Sequence, residues 1–251
     1  MSFNVKVGGV WKTVVPQMRV GGVWKTSIGG WVKVAGVWRK LFPLQATGIV
    51  EVGNGYDTNA GNKTINVSAG NASAANRFIA LVAVTGSDID LAIVSDDAGG
   101  TWTKVSSARQ TITRGSGIWI RTEPGPGSPF IVTMNPNGAG NSGGGLSVRT
   151  VQGALGLTLR QVAKQDNSGA SAPVATFPVA VNTDSVLMGI VMAQTGSAGV
   201  PTGWGYGYGI SYTVPAAQVT VTSRLSGETG TTITFPTVAT TAATALAEFT
   251  P

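Results

Sequence analysis

Three copies of one short phrase open the chain: Lys6–Lys12 reads KVGGVWK, Arg19–Lys25 reads RVGGVWK, and Lys33–Arg39 reads KVAGVWR. Their tryptophans, Trp11, Trp24 and Trp38, follow one another at spacings of 13 and 14 residues. Self-similarity at a near-constant spacing is typical of a unit that cannot bury its apolar face alone. The repeats therefore predict small structural units that depend on a partner surface.

Each copy is predicted to form a β-hairpin. Two glycines between short runs of strand-forming residues indicate a two-residue turn, because a type I′ turn needs positive φ at both central positions. A turn at Gly8-Gly9 places a basic residue opposite the tryptophan, and the same register repeats in every copy: Lys6 with Trp11, Arg19 with Trp24, Lys33 with Trp38. Such a cation–indole pair contributes about 0.5–1 kcal/mol when exposed. Ala35 replaces the first glycine of the third copy, so that turn is predicted to be of another type.

Further turn signals divide the repeat region. Pro16-Gln17 and Gly29-Gly30 are strand breakers, so residues 1–43 are predicted to form a meander of about six short strands. A meander this small is marginally stable by itself in water. Its partner is the rest of the chain, other copies of the chain, or a larger assembly.

The positive charge of the chain belongs to the same segment. Seven of the 17 basic residues precede the first acid, Glu51, and the remainder of the chain is nearly neutral. A basic surface with tryptophans suits nucleic acid, an acidic protein or an anionic glycan. It is equally typical of a solvated edge, where lysine prevents aggregation of exposed strands.

The composition excludes several kinds of chemistry. The chain has no cysteine and no histidine, which removes disulfides, thiol catalysis, Ser-His-Asp triads and HExxH zinc sites. A hydrolase that uses carboxylates alone remains open. We expect no cofactor, no metal and no enzymatic activity.

Targeting signals are not recognisable. Residues 1–7 lack the basic and apolar regions of a signal peptide. The longest apolar run, Phe78–Val84, is far shorter than the roughly 20 residues of a membrane span. The product is therefore predicted to be cytoplasmic when it is made.

The rest of the chain is predicted to be all-β. Residues 44–63 are rich in glycine and asparagine and are predicted to be a linker. Residues 64–251 show short strand candidates between Gly, Pro and Asn turns, a pattern typical of a jelly-roll-like β-sandwich with one core between two sheets. Within it, Ile89, Leu91 and Ile93 alternate with polar residues and predict a half-buried strand.

Two stretches of the sequence resemble a known group. The VGGVWK phrase, with Lys or Arg before its first valine, resembles short repeats at the ends of tailed-bacteriophage virion proteins described as minor tail or tail-fibre proteins. The stretches NRFIALVAV with GGTWTKV, and TDSVLMGIVMAQTG with PTGWGY, resemble β-sandwich domains of phage tail and other virion proteins. The resemblance implies that the repeats serve trimerisation or attachment.

Two further groups of residues are candidate sites. Trp204, Tyr206 and Tyr208 alternate with glycines; in an extended strand they would form an aromatic platform for a sugar, or else pack over the glycines. Four carboxylates are close in sequence and offer oxygens for a hard cation such as Ca²⁺, but they also fit a hairpin turn and a solvated face: Asp88, Asp90, Asp96 and Asp97.

The sequence thus predicts a structural and adhesive virion protein, made as a homotrimer. The predicted attachment or oligomerisation residues are Trp11, Trp24, Trp38, Lys6, Arg19 and Lys33. The β-sandwich would project toward the host surface, with Trp204, Tyr206 and Tyr208 as the ligand-binding candidates. The partners would be other virion proteins and a host-surface glycan; nucleic acid and a membrane span are not expected. The alternatives are a carbohydrate-binding module and a capsid-surface decoration protein.

Overall fold

A computed structural model describes the backbone of residues 3–7, 10–14, 17–20, 23–26, 30–34, 37–42, 46–57, 61–137, 143–153, 156–213, 216–237 and 240–250. Side chains are described for residues 46–56, 61–137, 143–153, 156–205, 207, 209, 217–237 and 241–250. The chain divides into two compact units, Met1–Gln45 and Ala46–Pro251. All regular structure in the described residues is β-strand, which confirms the predicted all-β class.

The first unit contains three β-hairpins, one for each copy of the repeated phrase. Its six strands are β1 Phe3–Val7, β2 Val10–Val14, β3 Gln17–Val20, β4 Val23–Thr26, β5 Gly30–Val34 and β6 Val37–Phe42. The predicted register is confirmed in all three: Lys6 pairs with Trp11, Arg19 with Trp24, and Lys33 with Trp38. The third copy keeps this register despite Ala35. The turn residues themselves lie outside the described residues.

The three hairpins form three separate two-stranded sheets within the part of the chain that the structure describes. The predicted single meander is therefore not observed. Two of the residues predicted to be in turns, Gln17 and Gly30, instead begin strands β3 and β5. An isolated two-stranded hairpin is marginally stable at best, so the need for a partner surface applies to each hairpin.

The predicted linker, residues 44–63, is largely wrong. Strand β7, Gly48–Asp57, occupies ten of its residues and pairs antiparallel along its length with a strand near residue 150. Glycine content misled the prediction, because Gly53 and Gly55 serve close packing. A β-carbon on Gly53 would lie 2.9 Å from the side chain of Ile65, and one on Gly55 would lie 3.3 Å from it.

The remaining strands complete the second unit. They are β8 Lys63–Val67, β9 Arg77–Thr85, β10 Ile93–Asp96, β11 Trp102–Thr111, β12 Arg114–Arg121, β13 Phe130–Asn135, β14 Gly144–Gln152, β15 Thr158–Gln165, β16 Val174–Thr176, β17 Val186–Thr195, β18 Gly205–Thr213, β19 Ala216–Arg224, β20 Thr232–Thr234 and β21 Thr240–Thr250. The predicted strand at Ile89 and Leu91 is a turn instead, in which the Asp90 amide donates to Asp88 Oδ1 at 3.0 Å. Such an Asx turn competes with extended structure.

These strands form four sheets. The first central sheet has the order β11-β12-β9-β14-β7, and the second central sheet has the order β15-β21-β17-β19-β18. The outer three-stranded sheet has the order β10-β13-β8, and the outer two-stranded sheet consists of β16 and β20. Among the described strands every pairing is antiparallel, for example β9 with β12 and β17 with β21.

The described residues of the second unit form three hydrophobic cores, whereas the sequence predicted one. One core joins the two central sheets, a second joins the first central sheet to the outer three-stranded sheet, and a third joins the second central sheet to the outer two-stranded sheet. Strand β9 shows why: Ile79 and Leu81 enter the first core, and Phe78 and Ala80 enter the second. A strand buried on both faces has a continuous apolar run in its sequence.

The same order of neighbouring strands occurs in both halves of the second unit. In residues 46–153, which we name the first module, the first strand β7 lies beside the last strand β14, and the second strand β8 lies beside the penultimate β13. In residues 156–250, the second module, β15 lies beside β21 and β16 beside β20 in the same way. Among the strands that the structure describes, β10 alone has no counterpart. This nested order is jelly-roll-like, and the chain contains two such modules packed through their central sheets.

Among the described residues, no helix has the length and apolar character needed to span a membrane.

Candidate functional site

The hairpins of the first unit place four basic residues directly opposite tryptophan. Three pairs were predicted from the repeated phrase, and the third hairpin adds a fourth, Trp31 opposite Lys40. The fourth pair was missed because Trp31 lies outside the repeated phrase. The pair continues the register of Lys33 opposite Trp38, and the register shift comes only beyond it, between Trp31 and Gly30.

The other three basic residues of the first unit have a different position. They follow the tryptophans in sequence and stand opposite apolar residues: Lys12 opposite Val5, Lys25 opposite Met18, and Arg39 opposite Val32. The first unit therefore has two kinds of basic position, which differ in the residue across the strand. No carboxylate side chain occurs before Glu51.

The proposed aromatic platform is corrected at Trp204. This residue is only 7% exposed and belongs to the core between the second central sheet and the outer two-stranded sheet. It precedes β18, and the register of β18 shifts between Tyr206 and Tyr208, so the regular alternation does not hold. The side chains of Tyr206 and Tyr208 lie outside the described residues. Trp204 has a packing role rather than a place on an exposed surface.

Trp204 instead belongs to a clamp around a carboxylate. Its indole Nε1 donates to Glu228 Oε2 at 3.1 Å, and Arg224 Nη1 donates to the same oxygen at 3.0 Å. Gly205 pairs with Ser223, so Trp204 and Arg224 are the next residues along these two antiparallel segments. Gly203, with φ of +80°, lies so close that a β-carbon there would be 2.8 Å from Arg224 Nη1.

The first module contains the same clamp at the equivalent place. Trp102 begins β11, Arg121 ends β12, and the two are directly opposite. Trp102 Nε1 and Arg121 Nε each donate to Asp96 Oδ2 at 2.8 Å. The side chains of Arg121 and Asp96 are 3% and 0% exposed. We name these two groups the carboxylate clamps.

The clamp holds Asp96 in its charged form. Burial by itself would raise the pKa of Asp96, but hydrogen bonds from Arg121, the Gly100 amide and Trp102 outweigh burial and lower it. A buried charge is tolerated only when it is paired and hydrogen-bonded in this way. Sequence reasoning missed both clamps; the available signal was a glycine two residues before Trp102, at Gly100, and one residue before Trp204, at Gly203.

The second unit contains a third pair of a basic residue and a tryptophan, in addition to the two in the clamps. Lys104 stands opposite Trp119, and its Nζ lies 5.8 Å from the centre of the ring. Lys104 Nζ also donates to Asp90 Oδ1 at 3.1 Å. Burial would raise the pKa of Asp90, but hydrogen bonds from Ser107 and Lys104 and two positive charges lower it. The basic member of this pair therefore also binds a carboxylate.

The four carboxylates weighed as cation ligands are engaged by the protein itself. Asp96 lies in its clamp, and Asp97 Oδ1 accepts from the Ile131 amide at 2.7 Å. Asp88 and Asp90 both pair with Arg109 Nη2, at 2.6 and 2.7 Å. No group of three or more metal-ligating side chains occurs in the described part of the chain. Asp88, Asp90 and Asp96 thus neutralise arginine or lysine, and Asp97 holds a backbone amide.

A cleft of about 440 Å³ opens beside β11 and β12. Its described lining contains Arg77 and Arg121 and apolar side chains such as Ile120 and Leu157, but no carboxylate. Arg121 is already bound to Asp96. Glycoside hydrolysis needs two carboxyl groups facing each other, so this cleft gives no support to the hydrolase alternative.

An ion pair between a buried arginine of β14 and an exposed glutamate of β7 lies near β18. Arg149 Nη1 binds Glu51 Oε2 at 2.5 Å, while burial lowers the pKa of Arg149. A β-carbon on Gly207 would lie 2.6 Å from Arg149 Nη2. Gly207 is therefore needed to admit the guanidinium, which gives one of the glycines between the tyrosines a packing reason.

Comparisons with protein-family models, with curated proteins and with solved structures found no match for this chain.

Proposed function

We propose that this chain is a non-enzymatic structural and adhesive component of a tailed-bacteriophage-type virion. Its first unit would attach the protein to the particle or join it to two further copies. Its second unit would be presented toward the host surface. A position on the tail and a position on the head fit this proposal equally.

The observation that carries the proposal is the identical construction of the three hairpins. Each is a separate two-stranded sheet with a basic residue opposite tryptophan in the same register. Hairpins of this size are marginal alone, and repeated units gain stability from a surface that they share with a partner. Tandem copies also raise overall affinity through effective concentration.

The second unit supports a structural role in another way. Seven of its carboxylates pair with arginine or lysine of the same unit: Glu51, Asp88, Asp90, Asp96, Asp166, Glu228 and Glu248. In these pairs the carboxylates stabilise strands and loops. Three cores in about two hundred residues favour a rigid element suited to display.

The solution mass tests the proposal. Analytical ultracentrifugation of the full chain and of residues 46–251 should give a trimer and a monomer, respectively, because all three cores lie within 46–251. Replacing Trp11, Trp24 and Trp38 by alanine should abolish assembly and leave the melting of the second unit unchanged. Monomeric full-length protein that also fails to attach to particles would refute the proposal.

The proposed glycan contact through Trp204, Tyr206 and Tyr208 is weakened by the placement of Trp204. A sugar platform needs an exposed ring, and one of the three candidate rings is buried. The carbohydrate-binding alternative rests on the repeats, which would bind an anionic wall polymer directly. Glycan binding by the full chain, lost on removal of residues 1–45, is its direct test.

A further inference from the structure

Six of the seven tryptophans of this chain have a basic residue across an antiparallel strand pair, and the seventh, Trp204, has one next to the end of such a pair. Four pairs lie in the hairpins, as described above, and Trp102 and Trp119 stand opposite Arg121 and Lys104. Trp204 and Arg224 each lie one residue beyond the pair formed by Gly205 of β18 and Ser223 of β19. The chain thus uses one local arrangement repeatedly, in both of its units.

In the second unit, every one of these pairs binds a carboxylate through its basic member. The carboxylates are Asp96 for Arg121, Glu228 for Arg224 and Asp90 for Lys104. In two of the three the indole N–H donates to the same oxygen. A carboxylate accepts several hydrogen bonds, indole Nε1 only donates, and bonds to a charged acceptor are strong.

The first unit contains the same kind of basic–tryptophan pair, but no Asp or Glu occurs in its sequence. Residues 1–50 contain no Asp or Glu. The acids of the chain lie beyond residue 50, and seven of them are already paired with arginine or lysine. Of the other four acids, Asp97 and Glu123 accept hydrogen bonds from backbone amides. A second copy of the chain would therefore offer mostly engaged carboxylates, and a different molecule rich in Asp and Glu is the better source of the missing ones.

We infer that the basic–tryptophan pairs of the hairpins bind Asp and Glu side chains of an acidic partner protein. This inference rests on the proposed function, because it names the chemistry of the surface to which the repeats attach. Lys6, Arg19, Lys33 and Lys40 supply the charge, and the tryptophan across from each supplies the indole N–H. Binding at several pairs together gives avidity without a large interface.

The test uses the full chain and poly-L-glutamate as a mimic of an acidic protein surface. One variant carries Lys6→Gln, Arg19→Gln and Lys33→Gln, which removes basic residues opposite tryptophan. The matched variant carries Lys12→Gln, Lys25→Gln and Arg39→Gln, which removes equal charge opposite apolar residues. The first variant should bind at least about tenfold more weakly than the second, because hydrogen bonds to charged groups are lost. Equal weakening would mean that only net charge matters and would overturn the inference.

A second variant set isolates the indole N–H. Trp11→Phe, Trp24→Phe and Trp38→Phe keep an aromatic ring opposite each basic residue and remove only the donor, so the hairpins retain their cross-strand pairs. We expect a several-fold loss of poly-L-glutamate binding; unchanged binding contradicts the inference. Polyphosphate at the same charge concentration is the comparison ligand, and tighter binding to it would assign the pairs to phosphate polymers instead.

The two proposals fail in distinguishable ways. If assembly depends on residues 1–45 but the two lysine–arginine variants bind poly-L-glutamate equally, only the carboxylate inference is refuted. If the two variants differ in carboxylate binding but the chain neither assembles nor attaches to particles, only the proposed function is refuted.

Discussion

Trp102 and Arg121 stand opposite each other across two strands and donate to the same oxygen of Asp96, each at 2.8 Å. Trp204 and Arg224 repeat this relationship with Glu228 at 3.1 and 3.0 Å. In both modules the clamp lies at the start of the equivalent strand, β11 or β18. The two clamps and the matching strand order indicate that the modules are two copies of one structural plan.

Removing an indole donor from a clamp should destabilise the protein. Trp102→Phe keeps the ring and removes one hydrogen bond to Asp96, and we expect a loss of about 1.5–3 kcal/mol in the free energy of unfolding. Urea denaturation measures this. Thr103→Ala, at an exposed neighbouring position, should change stability by less than about 0.5 kcal/mol; similar losses in both variants would argue against the clamp.

Neutralising the acid of the buried clamp should cost more. Asp96→Asn leaves the Arg121 guanidinium buried without its charge partner, which typically costs about 3–5 kcal/mol. Adding Arg121→Met should recover part of this loss, because the orphaned charge is removed as well. A double variant less stable than Asp96→Asn alone would contradict the assignment of an unpaired charge as the cause.

Stability should fall in acid, in part through Glu248. This carboxylate is fully buried and accepts hydrogen bonds from the Ser185 hydroxyl, the Asn182 amide, Gln161 and Arg160. Burial would raise the pKa of Glu248, but these bonds outweigh burial and lower it.

Because the folded-state pKa is depressed, the contribution of Glu248 is complete above its unfolded value of about 4.3 and is lost as the pH falls through the folded-state value. Chemical denaturation between pH 6 and pH 2 should therefore show declining stability below about pH 4. Glu248→Gln should be less stable at neutral pH and show a shallower decline. An unchanged pH slope in that variant would show that Glu248 does not contribute.

Two glycines of one strand should respond differently to alanine. Gly207→Ala places a β-carbon against Arg149 Nη2 at 2.6 Å, whereas Gly205→Ala meets only the Ser223 carbonyl at 3.5 Å, an ordinary contact. We expect a loss of about 1–3 kcal/mol at Gly207 and a much smaller one at Gly205. The melting temperatures of the two variants measure this difference. Equal decreases in melting temperature would show that the close contact with Arg149 does not destabilise the Gly207 variant.

The two modules should unfold together. The core between the central sheets takes Ile79 and Leu81 from the first module and Met188 and Ile190 from the second. A fragment of residues 156–251 therefore exposes an apolar sheet face and should aggregate or bind an apolar dye, while 46–251 melts in one transition. A soluble, folded 156–251 fragment would show that the modules are independent.

Most strands and the local register of the hairpins could be predicted from the sequence. Gly-Gly turns between β-forming residues specify a register over a few residues, so Lys6 opposite Trp11 follows from local rules. Continuous apolar runs such as Phe78–Val84 likewise predicted strands correctly. These features depend on near neighbours in the chain, which a sequence shows directly.

Contacts between residues far apart in the chain could not be predicted and became visible in the folded structure. Glu228 reaches Trp204, and Glu51 reaches Arg149 across 98 residues, through a strand order that local propensities do not encode. The division into two modules and three cores depends on the same non-local pairing, and so does the burial of Trp204. The glycine-rich segment β7 forms a strand because it pairs with β14. The Ile65 side chain packs against two of its glycines, where a larger residue would not fit as well.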